Sequence, residues 1–406
     1  MDIATHAVQQ LELNPLFNSG HGAVFTREGT HELEASVMVS RGYRKRGTGV
    51  MRVSRVKSPI TLAREMLVRG ESDDGGGAEQ HCQIAGETCD KLAEQWGLEM
   101  VKPSYFWVRK RWDEHRRGLG LSHDDETYKK ARKNIDVQSG YDAAITNLVD
   151  IDHGDEPFYA GDVSWDGKEY LPQGTVGCVV LDSAGILCVA TSTGGITNKL
   201  PGRIGDTPTL GAGFWSEEWK RSVEAKTNTC HQTTPESTLI SGILSCLPGL
   251  EQYTRLPALP APGSHLRSYE DSSEPTVEVH AVAMSGTGNG DSFLRLCAVR
   301  TAAAMVRFAS TETGVALQNA VSNIAGPLGA LQLSAEDRWH KTGEGEGGII
   351  GIEFVGGEGK IVADFNCGGM FRCWVDDTGR ERMAVFRNEI KEEAGAGVWP
   401  WAHERA

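Results

Sequence analysis

The chain has 406 residues and a net charge of −14 at pH 7, and apolar residues fill 39% of its positions. This length allows two domains or one large layered domain with insertions, and the acidic balance disfavours a nucleic-acid partner. No apolar run reaches the length needed to cross a membrane. The nine cysteines form no CxxC pair, which indicates a reducing compartment, so we expect a cytoplasmic protein.

The N-terminal part predicts alternating helices and strands. Residues 1–13 have the spacing of an amphipathic helix, whose apolar side consists of Ile3, Ala7, Val8 and Leu11. The elements predicted next are a strand over Glu32–Met38, a helix over Ile60–Val68 that follows Pro59, and a helix over Cys89–Trp96 that stops at Gly97. Residues 109–173 are rich in charges of both signs and predict a solvated helix face within a flexible linker.

The stretch from Gly174 to Gly213 combines a hairpin with two glycine-rich loops. Val176–Leu181 and Ile186–Ala190 are β-branched and apolar, and the intervening Asp-Ser-Ala-Gly predicts the turn. The loops that follow, Ser192–Gly195 and Leu200–Asp206, contain glycines together with polar side chains. Glycine allows the backbone to approach a small ligand closely, so the pattern indicates a binding site.

The C-terminal part begins with a Ser/Thr/Pro-rich stretch at about 220–278, which predicts a surface insertion. The elements predicted after it are a strand over Val279–Met284, a glycine-rich segment over Ser285–Gly290, a long helix from Asp291 to Phe308, and a hairpin of Gly347–Val355 with Lys360–Phe365.

Three motifs of the central stretch carry a resemblance to a known family. They are Gly174-Thr-Val-Gly177, Thr191-Ser-Thr-Gly-Gly195 and Asn198-Lys-Leu-Pro-Gly-Arg-Ile-Gly-Asp206. In this order they resemble the Thr-type (plant-type) L-asparaginases and isoaspartyl peptidases, which are N-terminal nucleophile hydrolases. The resemblance covers residues 1–105, 174–214 and 279–388, and Asn366–Arg372 resembles the family's closing strand. It implies an α+β fold, a four-layer αββα sandwich.

The resemblance implies self-cleavage between Gly174 and Thr175. The part over 1–173 would become an α-subunit ending in the linker of about 109–173, and the part over 174–406 would supply a β-subunit that starts at Thr175. The Thr175 hydroxyl would then be the nucleophile and its own α-amine the base, with Thr193 supporting it by a hydrogen bond. The implied activity is hydrolysis of L-asparagine or of β-aspartyl dipeptides, with no cofactor required.

The resemblance also implies a substrate site. Arg203 would bind the α-carboxylate of the substrate and Asp206 its α-ammonium. Ser285 and the Gly286 N–H would form the oxyanion hole. The remaining implied substrate-binding residues are Ile204, Gly205, Thr287 and Gly288.

The segment Asn14–Phe25 resembles a family loop spelled LFNAGxGAVFT. Asn18 matches a residue that lies beside the nucleophile and helps to position it. Relatives hold a sodium ion with carbonyl oxygens of this loop, and carbonyls suit a hard cation. An ordinary glycine-rich turn that holds no ion explains this segment equally well. The implied sodium ligands are the carbonyls of Leu11, Glu12, Asn14, Phe17, Ser19 and His21.

Family members begin with a strand and a glycine-rich turn before the first helix, and this sequence starts inside that helix. The N-terminal strand is therefore expected to be absent, and the chain is expected to fold poorly or to stay uncleaved unless another segment replaces the strand. Unpaired backbone groups beside a missing inner strand would each cost roughly 1–3 kcal/mol if buried.

Three alternatives remain open. Glycosylasparaginases share the spelling Thr-Gly-Asn-Gly-Asp over 287–291 more closely, but they are lysosomal or secreted and the sequence shows no signal peptide pattern. Threonine aspartases are the second alternative, and Asp206 argues against them because they generally lack the corresponding residue. A truncated, non-catalytic scaffold with the same fold is the third. The expected partners are a small-molecule substrate and a second copy of the cleaved α/β heterodimer, with no nucleic acid and no membrane.

Overall fold

The computed structural model describes residues 1–138, 174–223, 276–310, 314–376 and 378–387. By internal contacts the chain divides into one unit of Met1–Trp219 with Val279–Ala406 and a second unit of Lys220–Glu278. The second unit has the bounds of the predicted insertion, and its residues 224–275 lie outside the described residues.

The described residues form nine α-helices and eleven strands. The helices are α1 (Asp2–Glu12), α2 (Pro59–Arg69), α3 (Glu87–Gln95), α4 (Arg109–Gly118), α5 (Asp125–Gln138), α6 (Gly290–Leu296), α7 (Ala298–Arg307), α8 (Leu317–Ala325) and α9 (Ala330–Ser334). The strands are β1 (Leu33–Val39), β2 (Gly47–Val53), β3 (Gln83–Ala85), β4 (Val176–Leu181), β5 (Leu187–Thr193), β6 (Phe214–Val223), β7 (Thr276–Gly288), β8 (Gly347–Val355), β9 (Glu358–Phe365), β10 (Arg372–Val375) and β11 (Glu381–Ala384).

The strands form two main sheets. The first has the order β3-β2-β1-β5-β4 and the second the order β6-β7-β8-β9, and β10 and β11 form a separate pair. In the first sheet β1 pairs antiparallel with both β2 and β5, and β5 pairs antiparallel with β4. Alternation along β1 therefore directs successive side chains to opposite faces of this sheet.

Three apolar clusters define four layers. One cluster packs α1, α2 and α3 against the first sheet, and another packs α6 to α9 against β7, β8 and β9. The third lies between the two sheets and consists of Met38, Leu187, Val189, Phe214, Ala281 and Ala283. The order helix, sheet, sheet, helix confirms the predicted α+β fold, a four-layer αββα sandwich.

The N-terminal helix buries part of the face that its pattern predicts: Val8 is buried and Leu11 packs against the core. Ile3 is 68% exposed, whereas the buried residues of α1 are Ala4, Thr5, Val8 and Glu12. The helix packs on β4 and β5, and their surface selects the buried face. The predicted placement of Ile3 in the apolar side is therefore wrong, and a glutamate takes a fully buried position instead.

The predicted long helix over 291–308 is interrupted. Cys297 has left-handed backbone angles (φ 46°, ψ 50°) and separates α6 from α7. The N–H groups of Val299 and Arg300, in the first turn of α7, donate to the carbonyls of Ala212 and Gly211 at 3.3 and 2.8 Å. These carbonyls satisfy donors that a continuous helix would satisfy internally, so a second helix starts here.

Other elements have bounds that differ from the predicted ones. The strand expected to end at Met284 continues through Gly288, so the glycine-rich segment is the end of β7. Residues 366–371 contain no strand, and β10 begins only at Arg372. The described part of the predicted linker, 109–138, forms α4 and α5, and Arg111, Trp112 and His115 of α4 are buried, in contrast to a solvated face. Residues 139–173 lie outside the described residues.

Candidate active site

Thr175 lies at the end of the first sheet, directly before β4. Antiparallel pairing places Val176 opposite Ser192, so the start of β4 lies beside the end of β5, where Thr193 is the last residue. The Thr175 hydroxyl forms a hydrogen bond with the hydroxyl of Thr207, with 2.8 Å between the two oxygens. The predicted nucleophile therefore faces the loop that follows Asp206.

The turn after β5 is fixed from two sides. The Thr193 hydroxyl accepts the N–H of Gly195 at 3.0 Å. The buried Asn18 donates from Nδ2 to the Gly195 carbonyl at 2.7 Å and accepts the Val24 N–H at 3.1 Å. A Cβ added at Gly194 would lie 2.6 Å from Asn18 Oδ1. Thr193 and Asn18 both hold this turn beside the start of β4.

Arg203 and Asp206 converge on the corner between β7 and α6. A Cβ added at Gly290 would lie 2.8 Å from Arg203 Nη2 and 2.6 Å from Asp206 Oδ1, so the two side chains meet over this glycine. Arg203 Nη2 also pairs with Asp291 Oδ2 at 3.1 Å, and the Asp291 side chain is 60% exposed. The predicted substrate-binding pair is thus assembled at one place.

Both side chains of this pair keep an unused polar atom. Arg203 Nε and Asp206 Oδ2 are buried, and neither has a hydrogen-bond partner among the described residues. Burial, with the Glu34 carboxylate nearby, raises the pKa of the Asp206 carboxyl to about 7, although its own backbone N–H and Arg203 act in the opposite direction. Buried polar atoms are normally bonded, so one unused donor and one unused acceptor together indicate a ligand site.

The loop that carries this pair lies along one face of β1. Glu32 Oε2 accepts the Gly202 N–H at 2.7 Å, Glu34 Oε1 accepts the Gly205 N–H at 3.1 Å, and the Ser36 hydroxyl donates to the Thr207 carbonyl at 2.7 Å. The three side chains alternate along the chain and therefore share a face. They hold the loop on both sides of Arg203 and Ile204.

A buried lysine completes this support. Lys199 Nζ donates to the Glu32 carbonyl at 2.7 Å and lies 3.5 Å from Glu34 Oε1, with both side chains fully buried. Burial lowers the pKa of Lys199, and the nearby Glu34 carboxylate opposes that shift. The lysine provides a counter-charge next to a carboxylate that would otherwise be buried alone.

The end of β7 approaches the predicted cleavage site from the second sheet. A Cβ added at Gly174 would collide with the Thr287 hydroxyl and would lie 3.7 Å from the Gly288 nitrogen. A Cβ added at Gly177 would collide with the Ser285 hydroxyl. Ser285 and Thr287 therefore point to the first sheet, and Thr287 is the one opposite the Gly174–Thr175 bond.

Gly286 lies on the other face of β7. Its N–H donates to the Gly213 carbonyl at 2.8 Å, and a Cβ added there would collide with the Phe293 ring. This N–H already has an acceptor within the chain, and its role as an oxyanion donor stays a prediction that requires this bond to open. A side chain at position 286 would point away from the first sheet, since residues 285 and 287 share the inner face and residue 286 does not.

The loop after α1 is tightly packed around two glycines. A Cβ added at Gly20 (φ +50°) or at Gly22 would collide with the carbonyl of Glu12 or of Phe17. The carbonyls of Leu11, Asn14 and Ser19 each accept one backbone N–H, at 3.1 to 3.3 Å. The buried Arg111 donates to two further carbonyls, of Gly22 and Leu16. Carbonyl oxygens are ligands that suit a hard cation, because each carbonyl has two lone pairs, and the sodium site in this loop stays a prediction.

Other metal chemistry finds no support in the described ranges. No group of three or more His, Cys, Asp or Glu side chains there is arranged to hold a metal ion. In the same ranges, no helix combines the length and the apolar character needed to cross a bilayer.

Two groups of functional residues escaped the sequence-based prediction. Thr207 directly follows Asp206, yet nothing in its identity marks it as the partner of Thr175. Glu34 and Lys199 carried a usable signal, because a charged residue at an inward position of an apolar strand needs a partner. The partner itself, 165 residues away in sequence, could be found only in the folded chain.

Comparison with known proteins agrees with this geometry. A family model described as "Asparaginase" matches residues 1–225. The chain is similar to the "Putative isoaspartyl peptidase/L-asparaginase" of Dictyostelium discoideum, at 34% identity over 54% of this chain and 58% of that protein. It is similar to the "Isoaspartyl peptidase" of Escherichia coli (strain K12), at 29% identity over 92% of this chain and 78% of that protein.

The "Plant-type L-asparaginase" of Pyrococcus furiosus is 31% identical over 54% of this chain and 58% of that protein. The alignments thus span between about three fifths and about four fifths of these relatives. The matched residues 1–225 include Thr175, Thr193, Arg203 and Asp206. The chain belongs to the asparaginase family, as the resemblance to Thr-type L-asparaginases and isoaspartyl peptidases predicts.

Proposed function

We propose that this chain is a self-cleaving N-terminal-threonine amidohydrolase that acts on L-asparagine and β-aspartyl dipeptides. One observation carries the proposal: a threonine hydroxyl directly before β4 lies beside a loop in which the buried Arg203 Nε and Asp206 Oδ2 have no partner among the residues that the structure describes. A zwitterionic α-amino acid supplies a carboxylate for the first and an ammonium for the second. The printed names of the relatives, isoaspartyl peptidase and L-asparaginase, support the same substrate class.

In self-cleavage, Oγ of Thr175 attacks the carbonyl carbon of Gly174. The C–N bond between the two residues breaks, the nitrogen takes up the proton that the hydroxyl releases, and an ester joins Gly174 to the Thr175 oxygen. Water then hydrolyses this ester, which leaves a carboxylate on Gly174 and a free α-amine on Thr175. The Thr287 hydroxyl, which faces Gly174, is a suitable donor to the oxygen that becomes negative during the attack.

In substrate hydrolysis, the free α-amine of Thr175 takes the proton of its own hydroxyl as the oxygen attacks the side-chain amide carbon. The leaving ammonia, or the α-amino group of the released amino acid, takes this proton. Water then cleaves the acyl-enzyme ester and restores the threonine. We assign the oxyanion donors to Thr287 and the Gly288 N–H in place of Ser285 and Gly286, because those atoms approach Gly174 and the Gly286 N–H is engaged with Gly213.

Substrate orientation follows from the pair on the loop. A carboxylate bound to Arg203 would share the guanidinium with the exposed Asp291 or displace it. An ammonium beside Asp206 would favour the ionised form of this buried carboxyl and so lower its pKa. The presence of Asp206 supports a substrate with a free α-amine, and it is the residue that threonine aspartases generally lack.

We further propose a structural sodium ion in the loop after α1, held by carbonyls of Leu11, Glu12, Asn14, Phe17, Ser19 and His21. The crowding of the Glu12 and Phe17 carbonyls at Gly20 and Gly22 supports it. Such an ion would stiffen the loop that carries Asn18. A cytoplasmic location and a dimer of cleaved α/β heterodimers stay predictions from the sequence.

The test begins with denaturing electrophoresis of the purified chain and of Thr175→Ala. We expect two fragments from the parent, the smaller beginning Thr-Val-Gly-Cys, and one full-length species from the variant. The cleaved parent should release ammonia from asparagine and free amino acid from a β-aspartyl dipeptide. A single uncleaved band without hydrolysis would support the scaffold alternative, and release from a glycosylated asparagine alone would support the glycosylasparaginase alternative.

A further inference from the structure

Thr207 makes a contact with the nucleophile that the proposed mechanism has not yet used. It is fully buried in the loop after Asp206, and its hydroxyl lies 2.8 Å from the Thr175 hydroxyl. Either oxygen can be the donor of this bond. The contact joins the nucleophile to the residue next to the substrate-binding carboxylate.

The backbone of Thr207 is fixed in place. Its carbonyl accepts the Ser36 hydroxyl at 2.7 Å, and the Thr191 hydroxyl lies within hydrogen-bond distance of both this carbonyl, at 3.3 Å, and the Ser36 hydroxyl. On the preceding residue, the Asp206 carbonyl accepts the N–H groups of Thr209 and Gly213 at 2.9 and 3.1 Å. A side chain on so constrained a backbone has a defined direction, so the Thr207 hydroxyl is a fixed reference for the Thr175 side chain.

Thr175 itself has less support. It precedes the first residue of β4 and is only half-buried. Before cleavage its nitrogen belongs to a peptide bond and cannot act as the amine that later accepts the hydroxyl proton. Attack on Gly174 requires one particular χ1 rotamer of Thr175. Because a β-branched side chain has few accessible χ1 rotamers, a single hydrogen bond to its hydroxyl can select one of them.

We propose that the Thr207 hydroxyl orients the nucleophile, in the uncleaved chain for attack on Gly174 and in the cleaved enzyme for attack on substrate. This inference rests on the proposed function. It adds a residue that touches the reacting oxygen and that links substrate binding at Asp206 to the geometry of Thr175. No new covalent step is involved, because Thr207 only donates or accepts a hydrogen bond.

The chain offers a matched control for removing such a hydroxyl. Thr26 and Thr30 form a second threonine pair, with 2.7 Å between their hydroxyl oxygens, and Thr30 belongs to no part of the proposed site. The variants are Thr207→Val, which keeps the shape and removes the hydroxyl, Thr207→Ser, which restores the hydroxyl, and Thr30→Val as the control.

We expect Thr207→Val to slow self-cleavage and to lower kcat on a β-aspartyl dipeptide, each by roughly three- to tenfold, with KM little changed. Thr207→Ser should recover most of both rates, and Thr30→Val should match the parent. A Thr207→Val variant that cleaves and turns over at the parent rates would overturn the inference while the proposed function stands. Equal loss in Thr207→Ser and Thr207→Val would also overturn it.

A structural measurement tests whether Thr207 orients Thr175 even in a chain that does not cleave. Absence of cleavage in the parent would contradict the proposed function, and the side-chain rotamer of Thr175 can still be compared in crystals of the uncleaved parent and of Thr207→Val. We expect the bond between the two hydroxyls in the parent and a different or mixed Thr175 rotamer in the variant. The same single rotamer in both would overturn the inference.

Discussion

The halves of the molecule built on the two sheets bury different chemistry. Around the first sheet, charged side chains with less than 5% exposure include Glu12, Glu34, Lys199 and Asp206. The core between the second sheet and its helices is mostly apolar, with Phe293, Val321, Leu331 and Ile349 among its fully buried members. Its one carboxylate with less than 5% exposure among the described residues, Asp364, accepts the Ser322 hydroxyl and pairs with Arg387. Burying ionisable groups costs stability unless they are paired. Their concentration near Thr175 therefore indicates function, and the second core supplies stability.

A cavity in the core between the second sheet and its helices should separate the stabilising role of this core from the functional role of the first sheet. Leu331 is fully buried, and Leu331→Ala should lower the free energy of unfolding by about 2–5 kcal/mol. The KM of the folded fraction should not change. Chemical denaturation and steady-state assays measure the two effects. Leu333→Ala is the control, since Leu333 lies in the same helix and is 64% exposed. A large rise in KM for Leu331→Ala would contradict the division of roles.

Arg203→Lys tests the charged half. Lysine keeps the charge but loses the planar fork that binds a carboxylate through two donors. We expect kcat/KM for a β-aspartyl dipeptide to fall between about tenfold and several hundredfold, because a charged hydrogen bond contributes roughly 1.5–3 kcal/mol. Stability should change little.

The control for this substitution is Arg44→Lys. Arg44 also pairs with an aspartate, Asp73, at 3.0 Å, but on an exposed surface. Exposed pairs contribute little, so this variant should behave as the parent. An unchanged kcat/KM in Arg203→Lys would show that Arg203 is only structural.

The Asp206 carboxyl predicts a pH effect that depends on the substrate. Burial raises its pKa to about 7, so below that pH the carboxyl is increasingly neutral and cannot pair with an α-ammonium. For asparagine, kcat/KM should therefore lose up to about tenfold per pH unit below 7 beyond the loss due to the Thr175 amine. Succinamate lacks the α-ammonium, so its kcat/KM should fall at low pH only because the Thr175 amine becomes protonated. Superimposable profiles for the two substrates would contradict the assignment.

The smallest effect concerns Glu12. Burial raises the pKa of this carboxyl from near 4.5 to about 8, against bonds from Ser192 and Ile60 that act in the opposite direction. Between these values the unfolded chain releases a proton that the folded chain keeps, so the contribution of Glu12 to stability falls as pH rises from about 4.5 to about 8. Glu12→Gln removes this dependence and keeps the acceptor for the Ser192 hydroxyl.

Urea unfolding at pH 5, 6.5 and 8 measures this difference. The stability of Glu12→Gln relative to the parent should rise with pH across the series. Glu126→Gln, at an exposed position of α5, is the control, and its stability should change with pH as that of the parent does. A constant difference between Glu12→Gln and the parent would mean that the folded protein holds Glu12 ionised.

The sequence by itself determined the local elements and the identity of the reactive residues. Strand β8 has the predicted bounds, the hairpin of β4 and β5 forms where β-branched runs flank a turn, and α2 begins at Pro59. Motif residues such as Thr175, Arg203 and Asp206 could be named because their spacing along the chain is itself the signal. These features depend on neighbours within a few residues, which the linear pattern contains.

Tertiary structure alone decided which of those groups meet. The Thr175–Thr207 bond joins residues 32 apart, and the Glu32–Gly202 bond joins residues 170 apart. Strand alternation placed Thr287 opposite Gly174, and the Gly213 carbonyl accepts the Gly286 N–H. The packing of α1 on β4 and β5 exposed Ile3 and buried Glu12. Such pairings follow from how the sheets close on each other, and no periodicity within one segment encodes them.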